Sequence, residues 1–322
     1  MEAFCAENKI DYEICGKVIV ALNESEIPAL ENIYKRGQEN GVNCEMIDAN
    51  QLHDLEPHAA GIRAIHVPEA GIVDYRQVCD RLADIIRNRG GTIEFKANVT
   101  RINQQDNRIE VEAGLRHWVA RKMINCAGLH SDRVTQRSGT QPEARIVPFR
   151  GEYFELSDEA KHLCRNLIYP VPDPNFPFLG VHFTRCIDGT VECGPNAVLA
   201  FAREGYKKTT VNIRDLAESL TYPGFLRLAL RYWRIGSGEM WRSISKRAFV
   251  KALQRLVPEI RAEHLTPAPA GVRAQAVTWD GKMVDDFVIQ RVGNVVNVGN
   301  APSPAATSSL NIGATIVDQF DS

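Results

Sequence analysis

The stretch NVVNVGNAPSPAATSSLNIGATIVDQF, residues 294–320, decides the fold. Val295, Val296 and Val298 make a short β-branched run of the kind a buried strand needs. Gly299 and Asn300 interrupt it, and Pro302 and Pro304 forbid its continuation. Small hydroxyl residues follow (Ser303, Thr307, Ser308 and Ser309), and then Leu310, Ile312, Ile316, Val317 and Phe320 resume at helical spacing. Strand, tight turn and helix predict a βα unit whose helix start offers unpaired N–H groups and a positive dipole end above the sheet. Such an end suits an anion or a polarised carbonyl. An ordinary capped βα unit is the plainer reading of the same residues.

Working outward, a second unit of this kind spans residues 119–139. Residues 119–126, VARKMINC, predict a strand that runs into Ala127-Gly128-Leu129-His130, with a helix to Gly139. It pairs naturally with the C-terminal unit in a parallel sheet. Further strands are predicted over 15–22 (CGKVIVAL) and 64–68, and over 92–97, 99–103 and 108–113, which alternate. Helices are predicted over 24–40, from a capping box at Asp48 and Gln51, and over 75–89 behind Asp74. Residues 146–156 read as a strand. Residues 167–196 hold five prolines and extended pieces without a long helix, which points to antiparallel pairing. Residues 212–257 read as three helices split near 222–223 and 236–238, residues 270–278 as a strand, and 286–290 with 295–298 as a hairpin. The fold class is α/β with mixed α+β character: a parallel-sheet layer interrupted by a mixed or antiparallel one.

Composition narrows the function. The chain has 322 residues, of which 44% are hydrophobic and 24% charged, and its formal charge is −2. That balance gives no support to a nucleic-acid partner. The eight cysteines (5, 15, 44, 79, 126, 164, 186 and 193) contain no C-x-x-C pair and predict reduced, buried thiols in a cytoplasmic protein. His53 and His58 flank a proline with no thiol pair nearby, so no metal site is predicted. No apolar run is long enough to cross a bilayer.

Four side chains interrupt apolar extended segments. Arg273 lies in PAGVRAQAV, where it reads equally as a structural ion pair or as a planar clamp for a carboxylate. His182 lies in LGVHFTR, as a satisfied core histidine or as a general base. Arg150 (PFRGEYF) and Arg185 (HFTR) are further cations that either bind ligand or face solvent.

Several segments together resemble the FAD-dependent oxidoreductases of the D-amino-acid oxidase class. They are CGKVIVAL, PEAGIVDYRQV (68–78), INCAGLHSD (124–132), VPFRGEYF, LIYPVPDPNFPFLGVHFTR (167–185), GPNAVLAFAREGY (194–206), PAGVRAQAV and NAPSPAATSSLNIG. More narrowly, the run 148–206 is similar to the L-2-hydroxyglutarate oxidase/dehydrogenase family. The resemblance implies FAD lying against Ala127, Gly128, Asn300, Ser303, Ala305, Thr307 and Ser308. It implies Arg273 on the substrate carboxylate, His182 as the base, and Arg150 or Arg185 as the second cation for a dicarboxylate. It also implies an interleaved organisation: 1–73 and 146–269 for substrate, with a helical insert in the latter, and 74–145 and 270–322 for FAD. Oxygen or a quinone would be the electron acceptor, the latter implying loose peripheral membrane association. The family's first βαβ unit, with its Gly-x-Gly-x-x-Gly turn, has no counterpart here; Gly236-Ser-Gly238 lacks the third glycine. Two other readings therefore stand beside the first: an N-terminally truncated, FAD-free remnant acting as a binding protein, and a related FAD enzyme for another 2-hydroxy acid, an amino acid or glycerol phosphate.

Overall fold

In a computed structural model, which describes residues 1–105, 108–172, 180–302 and 305–320, the C-terminal stretch forms the expected βα unit. The strand Val295–Asn300 leads through a 3-10 turn, Ala306–Ser308, into the helix Ser309–Asp318. Ile312, Ile316 and Phe320 of that helical segment pack on Val296 and Val298, which is why apolar residues recur there at helical spacing. Met123–Asn125 lies parallel to the strand, with Ile124 opposite Val296 and Asn125 opposite Asn297. Val288–Val292 closes the hairpin on the other side. Two buried amides pin the parallel pair: Asn125 Nδ2 donates to Asn297 Oδ1 at 3.0 Å, and also reaches Ser131 O at 3.0 Å. Buried amides stay only where they are hydrogen-bonded, so this pair fixes the register of the two strands and seats the helix Ser131–Arg137.

The largest sheet has eight strands. Its order is Leu265–Pro267, Phe154–Leu156, Val191–Gly194, His182–Arg185, Leu167–Pro170, Lys17–Ala21, Arg63–Val67 and Glu45–Asp48. All neighbours are antiparallel except Leu167–Pro170 against Lys17–Ala21, the seam between two distant parts of the chain. One face carries Val18, Val20, Ile168, Phe183, Val191 and Cys193 and buries them against Phe249, Leu253, Leu256 and Ile260. Each such large side chain contributes roughly 1.5–3 kcal/mol on burial. Strand alternation sends the intervening residues to the opposite face. There, Ile19, Met46 and Val67 lie under Leu30 and Ile33 of the helix Ile27–Glu39. Nearer the middle of the sheet the same face is polar.

A three-stranded sheet, Val198–Leu199, Ala144–Gly151 and Gly271–Thr278, stands beside it. A buried ion pair ties it to the parallel unit: Arg203 donates to Asp132 at 2.9 Å, and Asp132 also accepts from Ile146 N at 3.0 Å. Both capping predictions hold. The Asp48–Gln51 box is formed, and Asp74 accepts from Arg76 N and Gln77 N at the head of Tyr75–Asn88.

Four expectations are corrected. Residues 92–97 are not a strand; among the described residues no strand pairs with them, only the Arg116 side chain bonding Glu94 and the Phe95 carbonyl, and an alternating pattern without a pairing partner cannot form a ladder. Residues 119–126 divide, because Arg116–Ala120 joins a meander with Arg101–Gln105 and Arg108–Ala113, and only Met123–Asn125 enters the parallel sheet. The helical insert has four pieces: Ile213–Leu220, Pro223–Arg231, Trp233–Ile244 and Lys246–Leu253. Gly236 and Gly238 lie inside the third, and the break falls at Ser245, whose side chain caps the next helix. Finally, Cys79 and Cys126 are exposed, whereas Cys5, Cys44, Cys164 and Cys193 are buried. No helix among the described residues is long and apolar enough to cross a membrane.

Candidate active site

The polar face of the large sheet gathers side chains from three adjacent strands. Tyr169 is opposite Ile19 in register, so it shares a face with Lys17 two residues earlier. The Lys17 ammonium lies 4.8 Å from the centroid of the Tyr169 ring. On the other neighbouring strand, His182 stacks on the same ring, with centroids 4.2 Å apart and planes 21° from parallel. Thr184, on the same face as His182, bonds the Tyr169 hydroxyl. Phe183 between them points into the core.

Burial dominates the electrostatics. It pushes the His182 pKa down to about 4, with Lys17 and Arg273 adding to the effect by repelling the protonated ring and the Gly180 carbonyl opposing it. Burial also lowers the Lys17 ammonium, and raises the phenols of Tyr153 and Tyr169 and the carboxyl of Glu192. Tyr153 senses both Glu192 and Arg273, which places the arginine in the same electrostatic neighbourhood. His182 Nδ1 is 3.1 Å from the Gly180 carbonyl oxygen, an acceptor only. That partner assigns the ring proton to Nδ1 and leaves the Nε2 lone pair as the basic one. A neutral imidazole with a fixed tautomer, two cations and two phenols can bind an anionic substrate and take a proton from it.

The structure therefore brings His182 and Arg273 together and leaves the other two arginines elsewhere. Arg273 is opposite Phe149 in the Ala144–Gly151 ladder and Arg150 is opposite Val272, so the two point to opposite faces. Arg150 is buried and pairs with Glu152 at 3.0 Å, a carboxylate that also accepts from Ser243 Oγ and Lys208 Nζ. Arg185 leaves its strand on the face away from His182 and forms a two-pronged pair with Glu13, at 2.5 and 3.0 Å. Lys17, Tyr169 and Tyr153 escaped the sequence reading. Only the alternation of Lys17 against Val18 and Val20 in CGKVIVAL marked it as facing away from the core.

A cavity of about 850 Å³ opens beyond the ends of the same strands, lined by Pro170, Gly180, Val181 and Ile235 among others. Its charged residues are paired with each other, Glu26 with Arg255 and Glu239 with Arg242, so the reactive groups lie outside it. Among the described residues no cluster has the make-up of a metal site.

The second part of the site is the carboxyl edge of the parallel strands. Cys126, Ala127 and Gly128 turn outward after Asn125, and Gly128 has φ +51° with open space where a Cβ would stand. Beside them, Asn300 ends its strand; its amide donates to the carbonyls of Asp286 at 2.7 Å and Val284 at 3.3 Å and so shapes the turn. Ala305, Thr307 and Ser308 open the C-terminal helix, which has no side-chain cap, and Thr307 and Ser308 are exposed. Ser303 lies outside the described residues. Free N–H groups and an open glycine turn at the ends of two parallel strands fit a dinucleotide such as FAD.

Residues 1–319 match the family model described as FAD dependent oxidoreductase. The chain is 47% identical to an L-2-hydroxyglutarate dehydrogenase of Indibacter alkaliphilus, covering 98% of this chain and 79% of that protein. It is 43% identical to the L-2-hydroxyglutarate dehydrogenase of Escherichia coli, covering 99% and 76%. Among solved structures, L-α-glycerophosphate oxidase from Mycoplasma pneumoniae superposes with a TM-score of 0.76 at 19% identity, over 97% of this chain and 74% of that one. That likeness concerns the fold. The chain belongs to the FAD-dependent oxidoreductases.

Proposed function

We propose that the chain oxidises L-2-hydroxyglutarate to 2-oxoglutarate with FAD, on the polar face that carries Lys17, Tyr169 and His182. The carrying observation is a neutral histidine of fixed tautomer, stacked on Tyr169 and within the field of two cations. Relatives named for this substrate support the choice of diacid. When bound, FAD supplies the acceptor for the hydride that leaves C2. The chain's own residues do the rest. Arg273 clamps the carboxylate next to C2 and so fixes which face of the alcohol is presented. His182 Nε2 accepts the 2-hydroxyl proton. In the free protein Lys17 and Arg273 penalise the imidazolium; the substrate's two negative charges offset that penalty, so the ring gains basicity as substrate arrives. Ala127, Gly128, Asn300, Ser303, Ala305, Thr307 and Ser308 hold the cofactor, mostly through backbone N–H groups and small side chains that let it approach.

The deciding experiment is the visible absorption spectrum of the purified chain with added FAD, before and after anaerobic L-2-hydroxyglutarate. A flavin spectrum that bleaches is expected. A protein that stays colourless with excess FAD sinks the oxidase reading and favours the FAD-free binding protein. Bleaching by glycerol phosphate or an amino acid instead would favour the related-enzyme reading.

We further propose a quinone acceptor reached at an anionic membrane surface. An unpartnered apolar stripe supports this: Leu226 and Leu230 on one helix, then Trp233, Met240, Trp241 and Ile244 at helical spacing on the next, all exposed. Exposed Arg227, Arg231 and Arg234 border it and complement anionic headgroups. Flotation with phosphatidylglycerol vesicles, lost in a W233S/W241S variant, is expected; a chain that stays in the aqueous fraction and is reoxidised rapidly by oxygen decides against it.

A further inference from the structure

We infer that Lys17 selects for a second carboxylate on the substrate, binding the one farther from C2 while Arg273 holds the nearer. The inference rests on the proposed function and deepens it.

Three observations carry it. First, Lys17, Tyr169 and His182 stand on three successive strands of one sheet face; the ammonium lies 4.8 Å and the imidazole centroid 4.2 Å from the centroid of the Tyr169 ring, so the two groups are at most about 9 Å apart. In a five-carbon 2-hydroxy diacid, three carbon–carbon bonds separate C2 from the distal carboxyl carbon. With a hydrogen bond of about 3 Å at either end, that molecule bridges the same interval.

Second, Lys17 is half-buried, and among the described residues its recorded partner is the Tyr169 ring, with no carboxylate in ion-pair range. A desolvated ammonium without a counter-ion is a standing cost that a ligand anion removes. The Tyr169 ring attracts the ammonium through its π face and not through a hydrogen-bond acceptor, so its N–H donors stay available.

Third, the arginines that would otherwise serve are committed: Arg150 to Glu152 and Arg185 to Glu13. Lys17 touches no atom needed for hydride or proton transfer. It acts on which acid binds, and through charge on the basicity of His182.

The test is calorimetric titration of the full chain with 2-oxoglutarate and with 2-oxopentanoate, an acid of the same length lacking the distal carboxylate. Wild type, Lys17→Met and Lys17→Arg are compared. Wild type is expected to prefer the diacid by roughly 10- to 150-fold, the range of one charge-assisted hydrogen bond. Lys17→Met should weaken the diacid alone and bring the ratio near one, and Lys17→Arg should keep a preference. Met keeps the length and removes a buried charge, so its thermal midpoint should not fall. A parallel NMR titration of His182 should show its pKa raised in Lys17→Met, because one of the two repelling cations has gone. A preference that survives in Lys17→Met, or an equal loss for both acids, overturns the Lys17 assignment and leaves the function standing. A wild type indifferent to the distal carboxylate overturns both.

Discussion

The two halves of the site are built from different materials. On the face of the eight-stranded sheet, the proposed function rests on long titratable side chains, Lys17, Tyr169 and His182, held by strands and a stacked ring, with Arg273 on the three-stranded sheet beside it. At the edge of the parallel strands it resides in what side chains leave free, an open glycine turn and an uncapped helix start. The first kind of site is lost when one functional group is changed. The second tolerates changes of functional group and fails when bulk or backbone shape changes.

The largest expected effect is on the side-chain half. His182→Gln keeps the stack on Tyr169 and should lower the rate of flavin reduction by about 10²–10⁴-fold with little change in thermal midpoint. An unchanged rate in flavin-replete protein removes His182 from the chemistry. Next is the bolt between the parallel unit and the three-stranded sheet that carries Arg273. Asp132→Ala leaves the Ile146 N–H bare and the buried Arg203 guanidinium with only Glu218 at 3.6 Å and the Leu129 carbonyl, and urea unfolding should show a loss of about 3 kcal/mol, the low end for a broken buried pair. On the backbone half, Gly128→Val forces a branched residue to φ +51° and fills the open cradle. FAD affinity should fall by at least about tenfold, since the strain alone costs roughly 1–2 kcal/mol. Thr307→Ala and Ser308→Ala should change it less than about threefold, as backbone N–H groups survive both. If the hydroxyl losses exceed the glycine effect, the contrast between the halves is wrong.

The smallest effect concerns pH. With a folded pKa of about 4 against an ordinary value near 6.5, His182 is already neutral at pH 5, so it should leave kcat/KM flat within about twofold from pH 5 to 8. Activity should decline below about pH 4 as the ring protonates. The same shift affects stability with a definite sign. The unfolded chain binds the proton more readily, so this contribution is whole above about pH 6.5 and is lost as pH falls toward 4.

Both βα units of the parallel edge were legible because their signals are local: an apolar run, then Gly or Pro, then helical spacing. So were the caps at Asp48 and Asp74. What stayed illegible depends on partners far along the chain. Residues 92–97 alternate like a strand, but a strand requires another strand. Arg150 and Arg273 look alike in sequence, and only the register of one ladder sends them to opposite faces. Lys17 showed that it faces away from the core, but nothing near it announced Tyr169 and His182, contributed from beyond residue 166.

The parallel seam in the eight-stranded sheet has a consequence in time. Val18 pairs with Ile168, so one edge of the strand Lys17–Ala21 stays open until the ribosome has made about 150 further residues. At about 5–20 residues per second, that wait is on the order of 8–30 s. Its other edge can be covered early by Arg63–Val67, but the parallel contact is a long-range closure of the slow kind. The lysine is therefore synthesised long before the strand that seats it, and nascent chains that stall between residues 67 and 167 present an unpaired strand edge to their neighbours.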